Sequence, residues 1–395
     1  MSALTFLDAR ATVLREVRSQ CAVPRTETVS IEDSPGRILA DDISADRDYP
    51  PFNRSVRDGF AVRSSDLPGR VRVIGEVRAG ETFQGVVNST EAVEIMTGAP
   101  VPEGADAVVM VEHCTRHPDG TVETDRTPAG SNIAPAACEA RAGSIVLPRG
   151  SRIDYASVAW LATTGHNRVS VYARPRVAIL ATGDEIVAIA DTPALHQIRN
   201  SNSYMLAAQV RRAGGDPVIL PVARDDKKAT ARLIAQGLDA DLLLLSGGVS
   251  AGKYDFVESA LADCGAQFHF DRVLIQPGQP LVFGIARNKF FFGLPGNPAS
   301  TMVTFELFGR AALDLLSGSN DALLPLTLAR LTRPFRHKPG LTRFLPAQVS
   351  CAEVTPVDWQ GSGDVPSICR ANAFLVADPN QAEYAAGDSI PVLMK

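Results

Sequence analysis

The spacing of apolar residues changes period several times along the chain, and each change predicts a different kind of element. At the start, Leu4, Leu7, Ala11, Leu14 and Val17 recur at three- and four-residue intervals. Thr5 and Asp8 form a capping pair beside them, so the spacing predicts an amphipathic helix. From about 49 to 140 the chain is rich in Gly, Pro and Val, with short runs such as 71–74 and 108–111. That texture predicts β structure with tight turns. A helix is expected over 155–161 and a strand near 169–172.

Beyond Arg174-Pro175 the pattern becomes regular. Apolar runs at 177–181, 218–222, 242–245 and 290–294 predict strands. Segments near 202–213, 226–237, 255–262 and 298–316 read as helices. Strand and helix alternate over short connections, which predicts a parallel α/β sheet. After Ser317-Gly-Ser-Asn320 the chain returns to short β runs up to Lys395. The fold class expected is therefore α/β plus β in several domains, with mainly-β regions on both sides of a layered α/β domain. The expected divisions are 1–48 with 141–173, 49–140, 174–318 and 319–395.

Length and composition narrow the function. A chain of 395 residues exceeds one ordinary core of about 100–200 residues, so two to four domains are expected. The formal net charge of -5 argues against a diffuse nucleic-acid-binding surface. An anionic ligand would need local backbone N–H groups, a few Arg or Lys, or a metal ion. The N-terminus lacks a basic region followed by an apolar stretch, and the run Leu242–Leu245 is too short to span a membrane. A cytoplasmic protein is expected. Six scattered cysteines without a C-x-x-C pair fit free thiols in a reducing compartment. Glu112, His113, Cys114 and His117 could seed a metal site, but Pro118-Asp119-Gly120 reads as a hairpin tip.

In an open α/β sheet, ligands sit at the carboxyl ends of the strands. Three predicted strand ends carry polar, Gly-rich loops: Thr182-Gly183-Asp184-Glu185, Ser246-Gly247-Gly248-Val249-Ser250 and Leu294-Pro295-Gly296-Asn297-Pro298. Asn297 suits a helix N-cap and Pro298 a first helical position, so a helix N-terminus is expected to face the ligand. A fourth loop, Gln276-Pro277-Gly278-Gln279-Pro280, is stiffened by two prolines. Several such loops on one sheet edge favour a phosphate or nucleotide site over ordinary turns. The nearby acids are Asp184, Glu185, Asp225, Asp226 and Asp255. Mg²⁺ takes one or two carboxylates with phosphate oxygens and water. Asp184 and Asp255 are the first choices, because Asp225 or Asp226 can equally cap the helix that follows. Residues 247–253 match the start of a P-loop, but Tyr254 stands where Ser or Thr should hold Mg²⁺. In the N-terminal half, 50–63 and 96–106 concentrate Asp, Thr and Arg, with Arg54, Arg57 and Arg63 available for anions.

Taken together, these segments resemble the molybdopterin molybdenumtransferase family, which takes in the bacterial MoeA proteins and the plant and gephyrin E-domains. The motifs are P-F-x-x-S-x-x-D-G-[FY]-A-V-R (51–63), M-T-G-A-P-V-P-E-G-A-D-A-V-V (96–109), T-G-D-E (182–185), D-D (225–226), S-G-G-V-S-x-G-x-x-D (246–255), P-G-x-P (277–280) and L-P-G-N-P-x-S (294–300). Gly361-Ser362-Gly363 and Arg370-Ala371-Asn372 match the C-terminal part. The resemblance runs in order over nearly the whole chain.

The resemblance implies an elongated homodimer and a Mg²⁺-dependent transferase acting on molybdate and adenylylated molybdopterin (molybdopterin-AMP), with release of AMP and molybdenum cofactor. Possible protein partners are a molybdopterin adenylyltransferase and molybdoenzymes. By position, the catalytic residues implied are Asp58, Thr97, Asp184 and Asp255. The metal ligands implied are Asp184, Asp225, Asp226 and Asp255. Thr182, Gly183, Ser246, Gly247, Gly248, Ser250, Pro277, Gly278, Gln279, Pro295, Gly296 and Asn297 are implied to hold the pterin nucleotide. Glu139 falls where many members have an acid. Gln276 and Gln279 stand where many members have Lys, Lys253 where an acid is common, and Arg57 where an uncharged residue is common. The rival readings are a molybdopterin adenylyltransferase, a non-catalytic molybdopterin-binding scaffold or chaperone, and an unrelated P-loop NTPase.

Overall fold

The computed structural model describes residues 2–224, 226–248 and 256–395. Asp225, Ser250, Lys253 and Asp255, together with the rest of the P-loop-like stretch after Gly248, lie outside the described residues. The chain divides into two compact units. One comprises 1–41, 149–158 and 167–395, and the other 42–148 and 159–166.

In the first unit, helix α1 (Phe6–Gln20) opens the chain. Its N-cap is Thr5, whose Oγ1 accepts the Asp8 N–H and donates to the Asp8 carboxylate. Leu4 falls outside the helix and forms a bridge with Val273 instead. The buried face of α1 carries Phe6, Ala9, Val13 and Val17.

The central sheet holds β1 (Arg176–Ala181), β2 (Asp216–Ile219), β3 (Leu242–Ser246), β4 (Gln267–Phe270), β5 (Val282–Ala286) and β6 (Lys289–Leu294), in the order β2-β1-β3-β6-β5-β4. The first four positions pair in parallel, as the alternating pattern predicts. The last two do not. β5 and β6 form an antiparallel hairpin, and β4 adds antiparallel to β5, so the sheet is mixed. β2 also stops at Ile219, short of the apolar run that predicted it.

Helices α2 (Ser201–Arg212), α3 (Lys227–Gly237), α4 (Phe256–Asp263), α5 (Pro298–Thr304) and α6 (Arg310–Leu316) accompany the sheet. A π-helical turn, Phe305–Gly309, joins α5 to α6 within the segment predicted as one helix. Burial explains why the central strands read as continuous apolar runs. β3 is covered on both faces: Leu242 and Leu244 join a core that includes Val177 and Phe292, while Leu243 and Leu245 join one that includes Leu233, Ile234 and Phe291.

The C-terminal strands Leu326–Leu331, Thr342–Ser350, Glu353–Pro356, Ala373–Ala377 and Ser389–Met394 pair around a closed ring, so the pairing leaves no free edge within it. The short strand Ile275–Gln276 pairs in parallel with Thr342–Arg343, which pins the following Pro-Gly-Gln-Pro loop to this ring. The second unit is built on a six-stranded sheet. Its order is Ala107–Met110, Gly59–Val62, Glu91–Ile95, Gly69–Val77, Thr121–Thr124, Cys114–Arg116.

Candidate active site

A cavity of about 690 Å³ opens at the carboxyl ends of β1, β3 and β6. Its wall includes Thr182 after β1, Gly247 and Gly248 after β3, and Pro295, Gly296 and Asn297 after β6. Pro277, Gly278 and Gln279 close another side. Nine of the twelve residues expected to hold the ligand thus line one cavity; Gly183 and Ser246 are not in its lining, and Ser250 lies outside the described residues. Glu185, Ser300, Trp359 and Ser362 also line it.

The strand tips are held close by their backbones. Thr182 donates its N–H to the Ser246 carbonyl at 3.1 Å, and Gly247 donates to the Leu294 carbonyl at 3.2 Å. Gly247 and Gly248 have φ of +91° and +67°. A Cβ on Gly247 would stand 2.9 Å from the Thr182 carbonyl oxygen, and one on Gly248 2.7 Å from Thr182 Oγ1. Glycine is required here because the turn packs directly on Thr182. Gly183, with φ of +135°, lies under the folded-back Glu185 carboxylate.

Among the described residues the buried Thr182 hydroxyl has no hydrogen-bond partner, and its side chain lines the cavity. A buried hydroxyl left unpaired costs about 1–3 kcal/mol, and a ligand oxygen can recover it. Among the described residues lining the cavity, Glu185 is the one that ionises. The remaining polar contributions come from amides, hydroxyls, the Trp359 indole and backbone groups.

Asn297 occupies the N-cap position of α5, but its side chain does not cap the helix. Its Nδ2 donates to Ser362 Oγ instead, at 2.9 Å. The Ala299 N–H is taken by the Ser362 carbonyl, and Pro298 has none to give. The helix N-terminus expected to face a ligand is therefore satisfied in part by Ser362. This joins the C-terminal Gly361-Ser362-Gly363 segment to the site.

The acids divide. Glu185 lines the cavity. Arg224 donates to the Asp184 carbonyl at 2.8 Å. Asp226 caps α3, accepting the Ala229 N–H at 2.6 Å. Among the described residues, no group of three or more His, Cys, Asp and Glu could hold a metal. An ion bound by one or two carboxylates and by substrate oxygens needs no such preformed group.

Asn202 is absent from the residues that the sequence singles out. In the first turn of α2, its Nδ2 donates to Ser246 Oγ at 2.9 Å and to the Gly296 carbonyl at 2.7 Å. Its contacts are 44 and 94 positions away, so no local signal marks it.

The second unit carries its own polar pair. Asp58 Oδ1 accepts both the N–H of Thr97 at 2.6 Å and its hydroxyl at 2.8 Å. The two Thr97 bonds pull the Asp58 carboxyl below the usual range. Gly59 allows the strand to continue from Asp58, since a Cβ there would stand 1.9 Å from the Val109 carbonyl oxygen. Arg54 pairs with Glu139, so this arginine is already matched with an acid. Residues 114–124 form the hairpin expected there. Burial raises the Cys114 thiol to about 11, and its Sγ donates to the Met110 carbonyl, which makes it a poor metal ligand.

Comparison with known proteins covers the chain from end to end. The MoeA N-terminal region (domain I and II) matches residues 4–165. The family model described as a probable molybdopterin binding domain matches 178–315, and the MoeA C-terminal region (domain IV) matches 328–395. The molybdopterin molybdenumtransferase of Bacillus subtilis (strain 168) is 36% identical over 387 residues, spanning 93% of this chain and 90% of its own. That of Staphylococcus aureus (strain N315) is 32% identical over 400 residues, spanning 98% and 95%. A crystal structure of a molybdopterin biosynthesis MoeA protein from Pyrococcus horikoshii OT3 aligns over 100% of both chains with a TM-score of 0.81 and 25% identity. A second P. horikoshii structure aligns over 100% of this chain and 99% of its own, with a TM-score of 0.73 and 30% identity.

Proposed function

This chain belongs to the molybdopterin molybdenumtransferase family, and from that premise we propose that it inserts molybdenum into molybdopterin. The substrates on this reading are molybdate and adenylyl-molybdopterin, and the products are molybdenum cofactor and AMP. The observation that carries the reading is the cavity at the carboxyl ends of β1, β3 and β6, where the Thr182, Gly247 and Gly296 loops converge. Such a crevice is where open α/β sheets bind phosphate-bearing ligands.

Backbone groups of the glycine turns, the Thr182 hydroxyl and the Gln279 and Asn297 amides hold and orient the anionic substrate. Mg²⁺, when bound, neutralises charge on the phosphate oxygens and makes AMP a better leaving group. We assign it to Asp184, with Glu185 close by and Asp226 held as the α3 cap. The donor set fits in part: among the described residues the Glu185 carboxylate lines the cavity together with an unpaired Thr182 hydroxyl, and Asp184 lies next to Glu185 in sequence, outside the lining. In the second unit, taken by itself, the Asp58 carboxylate held by Thr97 offers a positioned anionic oxygen for ordering a water or an ion.

Among the described residues no helix is long and apolar enough to cross a membrane. We place the protein in the cytoplasm as a homodimer. AMP release from adenylyl-molybdopterin, titrated with molybdate and Mg²⁺, tests the proposal. Release that depends on both supports it. Adenylylation of molybdopterin from ATP, or pterin binding with no AMP release, points to the adenylyltransferase or the scaffold instead.

A further inference from the structure

We propose that a second cavity, at the amino ends of the same strands, binds a phosphate monoester carried on a small organic molecule. The inference stands apart from the transferase reading, which makes no use of this cavity.

The cavity measures about 430 Å³ and lies within the first unit. That volume is within the usual range for small-molecule sites. Arg174 and Pro175 precede β1, Asp241 precedes β3 and Lys289 begins β6, so the parallel strands start where the cavity lies. The active-site cavity is at their other ends. β1 has six residues, which separates the two by about 20 Å along the strand. The chain leaving α1 supplies the opposite wall, with Val23 and Arg25.

Charge singles this place out in a protein whose formal net charge is -5. Among the described residues, Arg25, Arg174 and Lys289 line the cavity against one carboxylate, that of Asp241, an excess of two positive charges. Asp241 is already committed. Its Oδ1 takes Lys289 Nζ at 3.1 Å, and its Oδ2 accepts the Arg176 N–H at 2.9 Å. Neighbouring arginines are matched: Arg37 with Glu27, and Arg152 with Asp314. Among the described residues no acid takes Arg25 or Arg174. Their chain segments are nonetheless tied together, since the Ala173 N–H donates to the Arg25 carbonyl at 2.7 Å. Two unpaired guanidinium groups on adjoining segments repel each other, and an oxyanion between them turns that repulsion into attraction.

The excess charge selects the ligand. A phosphate monoester carries about -1.5 to -2 at pH 7 and three acceptor oxygens, which suits two planar forks of N–H donors. A carboxylate brings a single charge. Ile285 and Leu316 add apolar wall, so the phosphate is expected to arrive on an organic body.

The experiment is equilibrium binding of phenyl phosphate, inorganic phosphate and benzoate, with thermal melting. Wild type should bind phenyl phosphate most tightly, and its melting temperature should rise with the ligand. Arg25→Gln and Arg174→Gln should each weaken that binding about tenfold, and the double variant about a hundredfold. Both side chains are exposed, so the double variant without ligand should melt like wild type. Asp241→Asn keeps an acceptor for the Arg176 N–H but removes the negative charge, and should tighten binding severalfold. Opposite signs at the arginines and at Asp241 are the mark of an anion site. No phenyl phosphate binding by wild type, or binding that the double arginine variant leaves unchanged, overturns the proposal. Benzoate bound as tightly as phenyl phosphate overturns the phosphate class, and inorganic phosphate bound as tightly overturns the organic body. Molybdate-dependent AMP release by the double variant should equal that of wild type. A loss of release in step with the loss of phenyl phosphate binding overturns the separateness of the two cavities. A wild type that releases no AMP ends the transferase reading and leaves the binding result standing.

Discussion

Asn297 Nδ2 donates to Ser362 Oγ at 2.9 Å, and 65 residues separate the two in sequence. With the Ala299 N–H on the Ser362 carbonyl, this couples the start of α5 to the C-terminal segment, so one wall of the cavity is built from both. A side chain placed for helix capping has been redirected to a tertiary contact.

Ser362→Ala should therefore cost about 0.5–1.5 kcal/mol, the usual net value of one hydrogen bond. Both its backbone bond to Ala299 and the helix remain. Urea unfolding should show a lower midpoint with an unchanged slope. Molybdopterin binding should weaken with it, since Asn297 is no longer oriented. An unchanged midpoint together with unchanged binding shows the contact to be dispensable.

The two glycines after β3 should differ on substitution. At Gly247 a Cβ meets the Thr182 backbone oxygen at 2.9 Å, and φ is +91°. At Gly248 the obstacles are the side chains of Thr182 and Val257, and φ of +67° lies in the ordinary left-handed region. Side chains move at lower cost than backbone. Gly247→Ala should cost about 2–3 kcal/mol and Gly248→Ala about 1–2 kcal/mol, within the range for strained backbone. Thermal melting of the two variants checks the order, and the reverse order refutes the packing argument.

What the sequence made legible follows from what is local. Thr5 and Asp8 lie within one turn, and the glycine loops announce themselves by composition, so the α1 cap and the strand-end turns are readable. The antiparallel half of the sheet is not. Its hairpin turn, Arg287-Asn288, has both φ values positive without the Asn-Gly signal, and β4 is only four residues long. Asn202 is unreadable for a different reason: its role exists only once Ser246 and Gly296 have been brought to it by the sheet. In the sequence Glu185 is one loop acid among several, and only the fold shows it lining the cavity while Asp226 caps a helix.

Asp58 offers a pH test in the second unit. Thr97 holds its carboxyl below the unfolded value of about 3.9 through a backbone and a side-chain bond. A lowered carboxyl stabilises the folded state above the unfolded pKa. That contribution is lost as pH falls through the folded value. Thr97→Val keeps the backbone bond and removes the hydroxyl, so the Asp58 pKa should move back up. The loss of its contribution should then begin at higher pH. Carboxyl-carbon NMR titration of Asp58 in both proteins reads the shift directly, and coincident curves show that the hydroxyl has no part in it.

Asp226 separates a cap from a metal ligand. Its carboxylate accepts the Ala229 N–H at 2.6 Å as the N-cap of α3. Asparagine caps about as well as aspartate, whereas alanine loses about 0.5–2 kcal/mol. Asp226→Asn should therefore melt like wild type, and Asp226→Ala should melt lower. If the residue only caps, Asp226→Asn should also keep the wild-type Mg²⁺ dependence of AMP release. Asp184→Asn, at the assigned ligand, should need far more Mg²⁺, and chelation with EDTA should stop AMP release from wild type without lowering its melting temperature. A stable Asp226→Asn variant with a raised Mg²⁺ requirement would move that residue into the metal site and show that one carboxylate serves both tasks, its second oxygen turned toward the ion while the first holds the helix.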